Sequence, residues 1–246
     1  MLISCKNASF GYEGRPVVLD LNFQVQEGSY LWVVGKNGSG KTTLILGLLK
    51  LLSPMNGSLE FSDKLKIGGL GYLSQQSVLK KDFPAGVYEV VLSGNLASMG
   101  LRPFYSPREK ARAEEAMERL GIKDLRKKCY RELSGGQQRR VLLARAFCSA
   151  RVDLSSGLTS GSLLVLDEPA AGLDPLITTE VYELLKTLNK ETGISIIMVS
   201  HDTRGAEKYA DHILHMEDGR GFFFSTSDYL NSDLGKTFFA GNKEEA

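Results

Sequence analysis

Cysteine is scarce in this 246-residue chain. There are 3, at Cys5, Cys129 and Cys148, odd in number and far apart. That spacing implies neither a disulfide framework nor a zinc cluster, and it favours a reducing compartment. Excess charge of one sign is also missing, with Lys+Arg at 30 against Asp+Glu at 29. A near-neutral balance argues against a nucleic-acid partner, so none is expected. Long hydrophobic runs are absent too. The longest, LILGLLKLL and ISIIMVS, fall far short of a membrane span, and MLISCKNASF lacks the apolar core of a signal peptide. A protein like this serves a membrane only through a partner. No internal repeat is visible. Hydrophobic residues still make up 42%, enough for a proper core.

What is present is dominated by one loop. Gly35 to Thr42 reads GKNGSGKT, between the apolar run YLWVV (Tyr30–Val34) and the helix-length run TLILGLLKLL (Thr43–Leu52). Strand, glycine-rich loop, helix is the context of a phosphate cradle. A helix start leaves backbone N–H groups without partners and carries partial positive charge. Gly35, Gly38 and Gly40 let the chain curl so that those groups converge on an anion. Lys41 then reaches the β- and γ-phosphates, and Thr42 offers a hydroxyl to a bridging Mg²⁺.

SLLVLDEP (Ser162–Pro169) reads as a strand buried on both faces, with Asp167 at its carboxyl end, where open α/β sheets hold ligands. Asp167 is a candidate Mg²⁺ carboxylate, and Glu168 a candidate to polarise an attacking water. LSGGQQRR (Leu133–Arg140) offers a second helix start, with Ser134 as N-cap and Gly135 and Gly136 behind it. His201 ends the apolar run ISIIMVSH, where hydrogen bonding to a phosphate and plain surface exposure are both open readings. His212 and His215 in DHILH are read as strand residues and not as metal ligands.

The rest of the chain alternates. LISCKNASFGY and VVLDLNFQV read as strands around the turn EGRP; SLEF and IGGLGYLSQQ as short strands; Phe83 to Tyr130 as helical, with Ser106 capping a helix that begins at Pro107. A helix GGQQRRVLLARAFCSA, the strand SLLVLDEP, a helix PLITTEVYELLKTLNKET and the strand ISIIMVSHD follow. HILHMEDGRGFFF reads as a hairpin around Asp218–Gly219, and NKEEA as a polar tail. The fold class expected is α/β: a P-loop NTPase core with a mostly parallel sheet, an antiparallel β subdomain and a helical subdomain.

Taken in order, these elements resemble the nucleotide-binding subunit of ABC transporters over nearly the whole chain. GKNGSGKT is similar to the Walker A loop, LSGGQ (Leu133–Gln137) to the ABC signature, LLVLDE (Leu163–Glu168) to Walker B with its catalytic glutamate, and AGLD (Ala171–Asp174) to the D-loop. The resemblance implies one domain, with residues 1–75 and 163–225 as ATP-binding core and β subdomain, 76–150 as helical subdomain, and 151–161 as a Ser/Gly-rich loop insert. It also implies ATP and Mg²⁺ as cofactors. It implies nucleotide contacts from Lys36, Asn37, Ser39 and Thr43 beside the loop residues above, and adenine stacking on Tyr12. It makes Gln75 the glutamine that senses Mg²⁺, and His201 the switch histidine, so Glu168, His201, Lys41 and Gln75 form the catalytic set and Thr42, Gln75 and Asp167 the metal set. Ser134, Gly135, Gly136 and Gln137 would close over ATP on a second subunit. The partners implied are a second copy or a similar ATPase subunit, an integral membrane permease and, indirectly, a solute-binding protein, at the cytoplasmic face of the membrane.

A looser likeness over Lys80–Ile122 points to importers of metal ions or metal chelates. Energy-coupling importers of vitamins or cobalt, an exporter subunit, and a soluble ABC ATPase acting on DNA or ribosomes stay open at this point. Phe83, Pro84, Phe104 and Tyr105 either form a permease groove or pack the helical subdomain. RVDLSSGLTSGS, after the signature helix, is about ten residues longer than the resemblance leads one to expect and reads as a surface loop.

Overall fold

The computed structural model describes residues 1–75, 84–152 and 161–241. In chain order the elements are β1 (Ile3–Tyr12), β2 (Arg15–Val25), β3 (Tyr30–Val34), α1 (Lys41–Leu48), β4 (Asn56–Phe61), α2 (Asp63–Gly68), β5 (Gly69–Leu73), α3 (Val87–Leu92), α4 (Leu96–Met99), α5 (Pro107–Arg119), α6 (Gly135–Ser149), β6 (Ser162–Asp167), α7 (Pro175–Thr192), β7 (Ser195–Val199), α8 (Thr203–Tyr209), β8 (His212–Glu217), β9 (Arg220–Ser225), α9 (Thr226–Asn231) and α10 (Asp233–Gly241). They form two compact units, Met1–Ser62 with the chain from Ile197 on, and Asp63–Ile196. Parallel strand pairs, an antiparallel sheet and helices make this an α/β fold, as expected.

In the first unit β1 pairs antiparallel with both β2 and β4. Glu13 (φ 50°) and Gly14 (φ 78°) turn the chain between β1 and β2, two left-handed residues of the kind a tight hairpin requires. Arg15 and Pro16, expected in that turn, begin β2 instead. A proline is tolerated there because β2 is a sheet edge and Pro16 stands near its start. β3 pairs in parallel with β8, Leu31 to His212 through Val34 to His215, and β8 turns back into β9 at Asp218–Gly219, as expected. Trp32, Tyr30, Phe10 and Leu44 are fully buried. Each such side chain contributes about 1.5–3 kcal/mol, so the strand that delivers the phosphate loop is firmly held.

α1 stops at Leu48, four residues short of the run that suggested it. Lys50 takes a left-handed conformation (φ 59°), its N–H donates to Gly47 O at 2.9 Å, and Leu51 N–H donates to Leu46 O at 2.9 Å. This is a Schellman end with lysine in place of the usual glycine. Leu51 is left 71% exposed, so the apolar run is not all core.

In the second unit β5 and β6 run parallel, Gly69 to Ser162 through Leu73 to Leu166. α6 lies against β5, where Ser149 Oγ donates to Leu70 O at 3.0 Å. α5 begins as expected: Ser106 Oγ accepts from Glu109 N–H, Glu109 accepts from Ser106 N–H, and Pro107 follows the cap. Ala113, Ala116 and Met117 form its buried face. Of the Ser/Gly-rich insert, residues 153–160 lie outside the described residues, as do Phe83 and the tail NKEEA. Among the described residues no helix is long and apolar enough to cross a membrane.

Candidate functional site

The phosphate loop is built by its neighbours in the first unit. β3 is buried along its whole length and hands the chain to Gly35. At φ 143° Gly35 passes so close to β8 that a Cβ would lie 2.1 Å from Met216 O. Gly40 precedes α1 at φ 101°, and a Cβ there would meet Val18 at 2.8 Å. No side chain caps α1, and its first turn holds no acidic residue. Its leading amides and dipole therefore stand open to an anion. Lys41 Nζ donates to Gly35 O at 2.7 Å and to Lys36 O at 2.8 Å, which keeps the ammonium over the loop. Ser39 Oγ is buried without a hydrogen-bond partner among the described residues. An orphaned hydroxyl, an ammonium and bare amides form a donor set that fits a triphosphate. Thr42, an exposed hydroxyl residue one position into α1, fits a cation held on that phosphate.

Two further residues of the first unit join the loop. Tyr12, 46% exposed, ends β1 with its hydroxyl 3.4 Å from Thr43 Oγ1. His201 follows β7, and its pKa is lowered from the ordinary histidine value by desolvation and by the charge of Lys41. Both effects disfavour the imidazolium form beside the lysine. Lys36, Asn37 and Gly38 are exposed along the loop. His212 stacks on Phe223 at 5.2 Å, and buried His215 bonds through Nδ1 to the Tyr229 hydroxyl at 2.6 Å, so both serve packing.

The second unit carries the acidic residues and the signature. β6 is buried from Ser162 to Leu166 and releases Asp167 half-buried. Asp167 lies near enough to Tyr72 that desolvation and its charge together raise the phenol pKa. Glu168 has a left-handed backbone, φ 47°. Asp174 caps α7, accepting from Leu176 N–H and Ile177 N–H at 3.0 Å each. Gln75 is exposed just past β5. Ser134 and Gln137 cap each other: Ser134 Oγ accepts from Gln137 N–H at 3.3 Å, and Gln137 Oε1 accepts from Ser134 N–H at 3.1 Å. The first bond of the helix is Gln138 N–H to Ser134 O, so the Gly135 and Gly136 amides stand ahead of the ladder. Arg139, given no role by the sequence, bonds to main-chain carbonyls around Asp167 and Glu168. Nothing in the adjacent pair Arg139–Arg140 marks which one turns inward.

Similarity to known proteins gives the family. The sequence model of the ABC transporter family matches residues 18–171. A zinc uptake system ATP-binding protein of Listeria innocua is 33% identical over 93% of this chain and 87% of its own length. A manganese transport system ATP-binding protein of Bacillus subtilis is 35% identical over 96% of this chain and 92% of its own. Among solved structures, an inward-facing metal-chelate type ABC transporter superposes with a TM-score of 0.83 at 26% identity, covering 97% of this chain and 89% of that one. With the phosphate loop, the carboxylates and the signature in place, the chain belongs to the ABC transporter family, as one of its ATP-hydrolysing subunits.

Proposed function

We propose that this subunit is the motor of a membrane importer for metal ions or metal chelates, working as a dimer on a separate integral permease. The cargo follows the relatives, which are named for zinc and manganese transport. One observation carries the mechanism: each chain has one open helix start under an ammonium, at Lys41, and one exposed signature start, at Ser134. Two copies, or this chain and a similar ATPase subunit, complete two ATP sites between them. Ser134 accepts from Gln137 with a lone pair, so its own O–H remains to donate to the γ-phosphate of the neighbour's ATP. Gly135, Gly136 and Gln137 add to that contact.

Within each site Tyr12 stacks on adenine, and the amides from Lys36 to Thr43 wrap the phosphates. Lys41 shifts from the loop carbonyls to the β- and γ-phosphate oxygens. Thr42, Asp167 and Gln75 are the groups that would hold Mg²⁺, which when bound neutralises charge between those phosphates. Glu168 takes a proton from water as the water oxygen attacks γ-phosphorus in line. The bond to the bridging oxygen breaks, leaving ADP and phosphate. His201 hydrogen-bonds the γ-phosphate. Closure in ATP and release after hydrolysis amount to a ligand-driven switch.

The permease is met at the helical subdomain, at the cytoplasmic face. Leu96, Leu101 and Phe104 are 58%, 104% and 79% exposed there, and Leu96 lines a cavity of about 370 Å³ together with Leu70, Ala97 and Arg145. Phe104 packs no core, which favours the groove reading of the aromatic segment. A solute-binding protein feeds the permease from the other side.

Glu168→Gln tests the motor. ATP binding survives, turnover falls by orders of magnitude, and light scattering in ATP and Mg²⁺ shows a persistent dimer. Full turnover, or a monomer under those conditions, sinks the reading. Co-reconstitution with the permease in proteoliposomes tests the cargo: ATP-dependent accumulation of zinc or manganese is expected, and accumulation of neither metal nor its chelates excludes it.

A further inference from the structure

Arg139 lies in the second turn of α6 and is 8% exposed. Its guanidinium donates to four main-chain carbonyls. Nη1 reaches Ser74 O at 3.3 Å, Nη2 reaches Asp167 O at 3.2 Å and also Glu168 O, and Nε reaches Pro169 O. Burial lowers its pKa, and the opposing influence of Tyr130, Asp167 and Glu168 favours the cation. Guanidinium is the side chain suited to such a place, since it stays charged and presents its donors as a rigid planar fork.

Three of those carbonyls belong to consecutive residues, and the middle one is Glu168 at φ 47°. The left-handed region disfavours a residue with a long side chain, and such a backbone persists only where its surroundings hold it. A return to negative φ would swing the Glu168 Cβ, and the carboxylate with it, to a different direction. Arg139 grips the peptide groups on both sides of that torsion. Its fourth bond reaches the residue that precedes Gln75, and its own helix is capped by Ser134, five positions earlier.

We propose that Arg139 is a positioning residue for hydrolysis. It clamps the backbone from Asp167 to Pro169 so that the Glu168 carboxylate leaves the chain in the direction turnover needs. It also ties that direction to the exit of β5 and to the signature helix. The proposal rests on the role given above to Glu168. It adds that this role depends on a side chain which touches neither nucleotide nor water.

The informative variants are Arg139→Lys and Arg139→Gln in the full chain. Lysine keeps the charge but has no planar fork, and glutamine keeps two donors without the charge. Expected is a fall in kcat of about 10- to 100-fold, the scale of a misplacement near 1 Å, with ATP affinity within about 3-fold of the parent. In a Glu168→Gln background, single-turnover hydrolysis should show no further loss from either change. Parental kcat in both variants overturns the clamp. So does a full additional loss in the Glu168→Gln background, or ATP affinity that falls in step with kcat, since either marks a general structural role. Full turnover in Glu168→Gln alone removes the catalytic reading and the clamp together, a result distinguishable from parental turnover in the Arg139 variants. Because these substitutions strip donors from buried carbonyls, a measurement on the unchanged protein stands beside them. The Arg139 Nε–H should exchange slowly in arginine-labelled NMR spectra, and exchange at the rate of the exposed arginines overturns the proposal.

Discussion

The hydroxyl of Tyr12, at the end of β1, lies 3.4 Å from Oγ1 of Thr43, in the first turn of α1. The antiparallel sheet thus reaches the helix that follows the phosphate loop, and the ring, 46% exposed, has a face to offer an adenine. Base stacking on an aromatic is worth about 1–3 kcal/mol, so Tyr12→Ala should weaken ATP binding by about 10-fold, whereas Tyr12→Phe keeps the ring and should stay close to the parent. Turnover at saturating ATP should change little in either. Equilibrium binding of a fluorescent ATP analogue checks this, and equal affinities in Tyr12→Ala and Tyr12→Phe would exclude stacking.

Acid should loosen the unit that carries the loop. His215 is buried, bonded to Tyr229 and edge-on to Phe238 at 4.7 Å. Desolvation lowers its pKa, Glu217 opposes that, and Lys36 and Lys41 add to it. A lowered value in the native state means that the unfolded chain takes up the proton first. His215 therefore contributes stability that is complete above the ordinary histidine value, about 6.5, and is lost as pH falls through the native value. The urea midpoint should drop between pH 7.5 and 5.5, and His215→Gln should flatten that slope. Identical slopes in parent and variant would remove His215 from the effect.

The parts of the site most legible in the sequence were those whose chemistry demands particular residues. The phosphate loop is framed by an apolar strand and glycines. α5 opens with Ser106–Pro107, and α7 spans the stretch PLITTEVYELLKTLNKET, which reads as a helix. What stayed hidden was local geometry without a compositional marker. α1 ends on a left-handed lysine, a position where glycine would have announced the stop. α8 and α9 have 7 and 6 residues, too few for a periodic pattern, and only the caps Asp202 and Ser225 hint at them. Arg139 and Arg140 look alike in sequence, yet Arg140 pairs with Glu180 at 2.6 Å at the surface while Arg139 turns inward to backbone carbonyls.

Asp174 has a measurable task apart from any contact with a second subunit. Its carboxylate accepts from two leading amides of α7, and Pro175 follows in the first helical position. Loss of such a cap costs about 1 kcal/mol, so Asp174→Ala should lower the denaturation free energy by about that amount, and Asp174→Asn by less. An Asp174→Ala protein as stable as the parent would show that the cap contributes nothing to α7.

Glu109 should govern the acid limb of the helical subdomain and, through it, the segment proposed to meet the permease. Its carboxylate is 5% exposed and accepts from Arg102 Nη2 at 2.8 Å, Ser106 N–H at 2.7 Å, Ser106 Oγ at 2.9 Å and Ser98 Oγ at 3.2 Å. Burial alone would raise its pKa, but these bonds outweigh burial and hold it at about 2. A value below that of the unfolded chain, about 4.3, gives stability that is complete above pH 4.3 and drains away as pH falls toward the native value. Glu109→Gln should therefore cost about 2 kcal/mol at neutral pH, the scale of hydrogen bonds to a charged group. The difference between variant and parent should shrink as pH approaches 2. Leu101 and Phe104 lie on the segment between Ser98 and Ser106, so the same change should weaken permease association more than ATP binding. A constant difference across the acid range would show that the charge of Glu109 is not what holds this segment in place.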